Sequence, residues 1–543
     1  MDWTNHLLVL IVTLPALVAF GLVGSDLLLG FFGLPALPET AWRVIGLAAT
    51  IVTFVLMLVG IGFGFDPEQI GFQYVEFLGW PETRGAHLLL GVDGIGLCFL
   101  VSTAGVVPLA MLSSRYEVRD SVRSWVFTCL LLEFSLLGAL ASVNFLSFIF
   151  FWATSLVPIL LWLGKWGGIG RARAASRIWT TESFGLAGLL FVAFVLRESS
   201  LDQLGIATLD LVAIPPLGEF SLLDVQIDPA DQWLLFLVLA ISLAIRLPLV
   251  PLHFWLPAAH ASAPTGLSVL LATGFVQTAA IGILRFALPL FPNAASEAGP
   301  ALSIIGIFAL VYASLVALVQ KELKRLVAYT SVAWAGFAVF GISTLNVQGL
   351  TGAVLQLLTH GLATAALFML IGFLAVRRGT TDVAAFGGLA KPMPVCAFFF
   401  AVMVFSLIGL PLLGGFVGDL FVLLGSLETR RELSVVALTA MVVAASYLLW
   451  VQRRLFLGPV DEPANRGLID LDRIERGVLL MLTIPIVFIG VYPNPILRRI
   501  EPAVLEILNQ MEQRLVPEEM ADPEAGAEVV MIDPLAQSAQ GRR

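Results

Sequence analysis

The chain has 543 residues, of which 58% are apolar and 13% charged, with a formal net charge of -9 and a mean hydropathy of +0.94. This hydropathy excludes a soluble globular domain, and the short alternating segments of a transmembrane β-barrel do not dominate the sequence. Apolar runs of about 20 residues recur, so composition predicts an all-α polytopic membrane protein.

About fourteen transmembrane helices are predicted from these apolar runs. In chain order they cover residues 6–24, 42–64, 87–113, 122–142, 144–163, 178–196, 231–250, 266–290, 300–320, 325–343, 349–376, 393–427, 434–452 and 477–495. The first run has no basic flank, and we interpret it as a retained span and not as a signal peptide. After the last span we expect an amphipathic helix at roughly 500–515.

The seventh and twelfth predicted spans contain residues that interrupt a helix. Pro248 and Pro251 follow Arg246, and the segment GLPLLGGFVGDL (409–420) leads into Asp419. Interrupted spans five apart predict two five-helix repeats, and because five is odd the second repeat is inverted in the bilayer, as in transporters. The predicted segments are helices 1–3 in 1–113, the first repeat in 114–290, the second repeat in 291–455, helix 14 and the amphipathic helix in 456–515, and a disordered acidic tail in 516–543.

Basic residues collect in alternate loops, which predicts the orientation of the chain. Loop 164–177 holds four basic residues and no acid, and the basic clusters at 115–123, 321–325 and 377–391 fall on the same face by parity. Acidic residues dominate the loops 66–82 and 202–228 on the opposite face. The positive-inside rule then predicts a bacterial plasma (inner) membrane protein with both termini on the outer, periplasmic side.

Five ionisable residues in the spans are candidates for a proton path or charge relay: Glu133, Glu182, Arg246, His360 and Asp419. A charge at membrane depth is costly, which favours a functional or paired state. Glu133 lies mid-span and is predicted to handle protons or pair with a cation, with a neutral hydrogen-bonded carboxyl as the alternative. Glu182 lies about one turn into the sixth span and is predicted to be interfacial.

The other three candidates differ in whether they can carry a proton. Arg246 keeps its proton under nearly any condition, so an ion pair or an electrostatic gate is predicted ahead of proton transfer. His360 titrates in a range that suits a relay, although a lone histidine between helices often only satisfies a hydrogen bond. Asp419 follows an interrupted stretch of helix, and we expect it to contact water.

No residue pattern in the sequence supports redox chemistry or nucleotide hydrolysis. A Walker loop, a dinucleotide-binding fingerprint, a CxxC pair and a metal-ligand cluster are all missing from it. Cys98, Cys129 and Cys396 lie in apolar runs and are predicted to be small core residues. His87 looks interfacial, and Asp93 is expected to cap the third span. We therefore expect no catalytic residue, cofactor or metal on this chain, and no nucleic-acid partner.

Six long motifs follow one another in the sequence: GVDGIGL (91–97), FIFFWATSLVPILLWLGKWG (148–167), PLHFWLPAAHASAPTGLSVLLA (251–272), LKRLVAYTSVAWAGF (323–337), LTGAVLQLLTHGLATAALF (350–368) and FGGLAKPMP (386–394). Together they resemble the antiporter-like, proton-translocating membrane subunits of respiratory complex I (NADH:quinone oxidoreductase). Among these the resemblance is to the M type, equivalent to mitochondrial subunit 4. It covers roughly residues 85–455.

The resemblance implies fourteen helices, inverted repeats and a proton path along the midplane of the membrane. It implies a non-redox subunit of a translocase that couples quinone reduction to proton translocation. The partners would be the other membrane-arm subunits and membrane lipid. NADH, FMN, iron–sulfur clusters and quinone would be bound by partner subunits.

The sequence departs from the family pattern at several ionisable positions. The pattern has a glutamate after FW in the fifth span, lysines in the seventh and eighth spans, histidines later and an acid in the twelfth. The residues at the corresponding positions here are Ala153, Arg246, Gln277, Trp334, His360 and Asp419, and Glu133 matches an acid of the fourth span. Because arginine is too basic and glutamine does not titrate, pumping is predicted to be altered or lost, or rerouted through Glu133, Glu182, His360 and Asp419.

Two other functions fit the same motifs. A monovalent cation/proton antiporter, or a subunit of one, would share the fold and much of the sequence pattern. The equivalent subunit of a membrane-bound hydrogenase or of a carbon-uptake complex is also consistent with it, because the identity of the electron donor resides in other chains.

Overall fold

The computed structural model describes residues 6–78, 87–213, 220–460 and 463–515, and the predicted acidic tail, 516–543, lies outside these ranges. The described chain forms helices α1 to α20. Their bounds are Leu7–Phe31, Glu39–Val55, Gly94–Ser113, Val122–Ala141, Phe145–Trp166, Arg171–Leu204, Pro229–Arg246, Trp255–Ser262, Thr265–Leu270, Val276–Gly282, Leu288–Leu290, Pro292–Leu318, Leu323–Ile342, Val347–Arg378, Pro394–Leu407, Gly414–Thr429, Arg431–Phe456, Pro463–Arg466, Arg473–Val491 and Asn494–Arg514.

Tighter and wider helical turns extend or join some of these helices. The wider π-type turns are Leu56–Gly62, which continues α2, and Leu271–Phe275 and Ile283–Ala287, which join α9, α10 and α11 into one stretch. Short 3-10 turns lie at Ser114–Tyr116, Leu222–Asp224, Leu252–Phe254 and Val383–Ala385. Irregular turns inside membrane helices often mark functional positions, because they free backbone groups for other contacts.

Thirteen helical stretches of the described chain are long and apolar enough to cross a membrane. The helical, multi-pass architecture predicted from composition is therefore confirmed. The twelfth predicted span, 393–427, is not among the thirteen, because it consists of the two shorter helices α15 and α16. The inverted repeats, and the segment boundaries drawn from them, stay a prediction.

Two interruptions of helix lie near candidate residues. Helix α7 ends at Arg246 and α8 begins at Trp255, whose indole nitrogen donates to the carbonyl of Ile245 at 2.7 Å. That bond satisfies a carbonyl which the end of the helix leaves free. Between α15 and α16 the backbone turns at Gly409 and Leu412, with φ of +74° and +75°. Only glycine adopts such a φ without strain, so Leu412 is held there by its surroundings.

A β-hairpin, which the sequence did not predict, precedes the third span. Its strands are β1, Gln73–Leu78, and β2, Leu88–Val92, which pair antiparallel with Leu78 opposite Leu88. The predicted span 87–113 therefore begins only at Gly94. Asp93 caps it as predicted, accepting a hydrogen bond from the backbone nitrogen of Gly96 at 2.6 Å.

A buried ion pair and a histidine–carboxylate contact lie beside the hairpin. Arg285 donates from Nη2 to Asp93 Oδ1 at 2.7 Å and from Nη1 to the carbonyl of Leu140 at 2.6 Å. The ring of His87 lies 2.8 Å from Asp210, measured from Nε2 to Oδ1. His87 lies outside the third span, between the ring of Phe77 and Asp210, and its interfacial position stays a prediction.

Helix α14 is the centre of the fold. Every residue from Gly349 to Leu374 is buried, whereas α1, α12 and α17 carry many exposed apolar side chains of the kind that face lipid or a neighbouring subunit. The amphipathic helix predicted at 500–515 is α20, which packs on α3. At the crossing, a Cβ on Gly94 would clash with the backbone of Arg499, so only glycine permits this contact.

Candidate functional site

Arg246, the last residue of α7, is fully buried and forms an ion pair with Glu182 of α6. Its Nε and Nη2 both donate to Glu182 Oε2, at 3.1 and 2.9 Å. Nη2 also donates to the carbonyl of Trp152 at 3.3 Å, and Nη1 to the hydroxyl of Thr278 at 3.4 Å. A buried charge persists only when it is paired and hydrogen-bonded, and Arg246 meets both conditions.

Two aromatic rings enclose the guanidinium of Arg246. Its Cζ lies 3.4 Å from the ring centroid of Trp152 and 4.1 Å from that of Phe275. A cation between two ring faces gains attraction from both quadrupoles, and a planar guanidinium stacks better than an ammonium would. The arrangement holds Arg246 as a fixed positive charge between the rings of Trp152 and Phe275.

The prediction that Glu182 is interfacial is wrong. Helix α6 begins at Arg171 and not at the predicted residue 178, so Glu182 lies eleven residues, about 16 Å, along the helix. Its side chain is fully buried. Hydropathy underestimated the length of the helix because its first two turns are basic. Basic side chains near a helix end can extend to the membrane surface while the backbone stays helical.

Glu133 stands apart from this pair. It is fully buried on α4, and neither of its carboxylate oxygens has a hydrogen-bond partner among the described residues. The structure brings Glu182, and not Glu133, to Arg246. A buried carboxyl without a partner carries a large desolvation cost, which favours either its neutral form or water at the site.

Gln277 links the region of Arg246 to α14. It directly precedes Thr278 on α10, and its Oε1 accepts hydrogen bonds from Ser102 and Thr103 of α3, each at 3.3 Å. Its Nε2 points toward Gly361 of α14, where a Cβ would lie 3.4 Å from that nitrogen. Gln277 therefore contacts α3 through its oxygen and approaches α14 next to His360.

His360 lies in the middle of α14 against Trp334 of α13. The two rings are stacked, with centroids 5.9 Å apart and planes 19° apart. Neither ring nitrogen of His360 has a hydrogen-bond partner in the described part of the chain. The indole therefore contacts the imidazole through its face and not through a ring nitrogen.

Asp419 lies on α16, directly after the interruption between α15 and α16. Its side chain is buried, and neither of its oxygens has a protein partner within the described ranges. A Cβ on Gly409 would lie 3.0 Å from Asp419 Oδ2, so the carboxylate points back at the interrupted stretch. Backbone that is not helical can hold water at this depth, which a lone carboxylate needs.

Gln356 is a residue that the sequence analysis missed. It is buried on α14 one turn before His360, and neither its amide oxygen nor its amide nitrogen has a partner among the residues described. Helix α16 packs on it so closely that a Cβ on Gly418 would lie 2.7 Å from the backbone nitrogen of Gln356. The i, i+4 spacing from His360, together with a glycine beside Asp419, is the signal that could have identified it.

These residues form a series of buried positions that is joined partly by contacts and partly by the chain. Close approaches join Glu182 to Arg246, Arg246 to Thr278, Gln277 to Gly361 and Gln356 to Gly418. Sequence neighbours or one helical turn connect these pairs to each other, to His360 and to Asp419. Buried polar groups without protein partners are normally satisfied by ordered water. Amides between two titratable groups can orient such water, although they hold no proton themselves.

The described residues contain no group of three or more His, Cys, Asp or Glu side chains that could hold a metal ion. The three cysteines are buried, unpaired in disulfides and separate from one another.

Comparison with known proteins identifies the family. The family described as NADH:quinone oxidoreductase/Mrp antiporter, TM, matches residues 142–444. NADH-quinone oxidoreductase subunit M of Rhodobacter capsulatus is 34% identical over 478 residues, which cover 87% of this chain and 91% of that protein.

Solved structures agree with this assignment. A chain of respiratory complex I from Thermus thermophilus with bound NADH has a TM-score of 0.79 at 27% identity, covering 94% of this chain and 99% of that chain. A chain of the Mrp complex from Dietzia sp. DQ12-45-1b shares the fold, with a TM-score of 0.78 at 16% identity over 95% of this chain and 100% of that chain. The chain belongs to the family of NADH:quinone oxidoreductase and Mrp antiporter transmembrane subunits.

Proposed function

We propose that this chain is the M-type, antiporter-like membrane-arm subunit of a complex I-type NADH:quinone oxidoreductase. The similarity to subunit M along nearly the whole chain supports this role. The subunit would carry no redox chemistry, and NADH, FMN, iron–sulfur clusters and quinone would be bound by its partners. It would lie in a bacterial plasma membrane with both termini on the outer side, since the basic loops share the opposite face.

The observation that carries the mechanism is the series of buried polar residues from Glu182 to Asp419. In the first half, Arg246 is a permanent charge held by Glu182 and two aromatic rings, so it sets the local electrostatic potential without releasing a proton. In the second half, His360 and Asp419 can each gain and lose a proton. We propose that protons move in this half, while the first half acts as an electrostatic anchor.

Residues that do not titrate divide these two halves. Gln277 and Trp334 stand where the family pattern has ionisable side chains, and Ala153 leaves Glu182 as the partner of Arg246. Glu133, which lies apart from Arg246, would exchange protons separately, through water near α4. We therefore propose that pumping by this subunit is altered relative to the family pattern and concentrated at His360 and Asp419.

Gln356, one turn from His360 and packed against the neighbour of Asp419, allows a specific test. Replacing Gln356 by leucine removes an amide that has no partner among the described residues, so we expect the thermal stability of the complex to change by less than about 1 kcal/mol. Proton translocation should nevertheless fall by about tenfold or more, because the water between the two titratable groups loses its polar contact. Melting temperature and translocation rate, measured on one preparation of the complex, check both parts.

An alternative is a monovalent cation/proton antiporter, favoured by the shared fold of the Mrp chain. Reconstitution distinguishes the two functions. The chain is affinity-tagged, purified with its partners and placed in proteoliposomes. We expect proton movement driven by NADH and quinone in sodium-free buffer. Sodium-dependent proton flux without NADH or quinone would instead establish the antiporter.

A further inference from the structure

A polar cleft of about 820 Å³ opens on the face that carries the basic loops. We call it the basic cleft. Its walls come from four elements, namely the start of α6, the end of α8, the start of α13 and the end of α14 with the residues after it. Three arginines and one glutamate line it: Arg173, Arg177, Arg325 and Glu322. The cleft lies outside the series of buried residues described above and has no part in the proposed function.

The positive charge of the basic cleft is not neutralised from within. Glu322 is already engaged, because its Oε2 lies 3.1 Å from Arg325 Nε and its Oε1 accepts from the hydroxyl of Thr381 at 3.2 Å. Arg173 and Arg177 form no ion pair or side-chain hydrogen bond with any part of the chain that the structure describes. Two guanidinium groups that share a cleft repel each other, and an anion between them would remove this repulsion.

An apolar surface continues from the basic cleft along α6. Arg173 and Arg177 are one helical turn apart, and Phe184 and Phe191 follow at the same side of the helix, all within about 40° of one another. The two phenylalanine side chains are 68% and 45% exposed. A charged pocket at the membrane surface is thus joined to an exposed aromatic stripe that extends toward the membrane interior.

We propose that the basic cleft binds the phosphate of an anionic phospholipid whose acyl chain lies along Phe184 and Phe191. Arginine suits this role because its planar fork contacts two phosphate oxygens at once. Basic pockets between membrane helices on the cytoplasmic side recognise anionic head groups in this way. A free phosphate ion would use the arginines but gain nothing from the aromatic stripe, and this difference favours a lipid.

Photolabelling of the full complex tests the proposal. The complex is reconstituted in phosphatidylcholine vesicles doped with phosphatidylglycerol that carries a photoactivatable group on its acyl chain. We expect the label on the α6 peptide that contains Phe184 and Phe191. The double variant Arg173→Gln/Arg177→Gln should lower this labelling by about tenfold, as expected when two charge-assisted contacts to a phosphate are lost.

The matched control removes two basic residues from the same face outside the basic cleft. Arg119→Gln/Lys391→Gln changes the net charge equally, and we expect it to leave labelling of α6 unchanged. Equal labelling by a photoactivatable phosphatidylcholine, or no effect of the double variant in the cleft, would overturn the proposal. Loss of the label when inorganic phosphate is added at matched ionic strength would also overturn it, because this result indicates that the cleft binds a free anion. An α6 peptide that stays unlabelled in the intact complex would also overturn the proposal.

Discussion

Replacing Glu182 by leucine is expected to destabilise the protein by about 3–5 kcal/mol, because it leaves the guanidinium of Arg246 buried without a counter-charge. Both side chains of the pair are fully buried. The aromatic rings of Trp152 and Phe275 attract the cation but supply no negative charge. The amount of complex that assembles in the membrane and its melting temperature measure the loss.

Two further variants separate the ion pair from the packing around it. Glu198→Gln alters an exposed acid on the same helix and should cost about 0.5 kcal/mol or less. The double variant Glu182→Leu/Arg246→Met should recover most of the loss, because removing both partners of a buried pair is often nearly neutral. If Glu182→Leu alone is as stable as Glu198→Gln, the result would contradict the pairing of Glu182 with Arg246.

The membrane-spanning helices and the caps could be predicted because they follow from local properties. Apolar runs placed most helix ends within a few residues. The cap at Asp93 was predictable because an aspartate side chain at the start of a helix accepts a hydrogen bond from a backbone nitrogen of the first turn. The helix in 178–196 was predicted too short, because its basic start, from Arg171, is helical without being apolar. The hairpin was missed, because its strands are short and the second merges with the apolar run that follows it.

The candidate residues were predicted better than their contacts. All five ionisable positions are buried in the protein, although Glu182 was expected at the membrane interface. Their partners depend on how helices far apart in sequence pack together. Glu182 precedes Arg246 by 64 residues, and nothing local distinguishes it from Glu133 as a partner. Gln356 was missed for another reason. An amide does not titrate, so the sequence does not mark it as a candidate, and only the structure shows that its buried nitrogen and oxygen have no hydrogen-bond partner among the described residues.

Replacing Asp419 by asparagine is expected to slow proton transfer through the second half of the subunit by about a hundredfold or more. The substitution keeps the shape of the side chain but removes the group that binds and releases the proton. Because neither carboxylate oxygen has a protein partner among the described residues, the fold should be little affected. His360→Ala should have an effect of the same kind, since it removes the other titratable group of this half. Glu432→Gln, at an exposed acid on α17, is the matched control.

The most direct measurement is the number of protons moved per electron when NADH drives the reconstituted complex. If protons pass through His360 and Asp419, this number is lower in the Asp419→Asn and His360→Ala complexes than in the Glu432→Gln complex, because the electrons travel through other subunits. An unchanged number in both variants would contradict proton translocation through this chain and leave it a role in holding the membrane arm together.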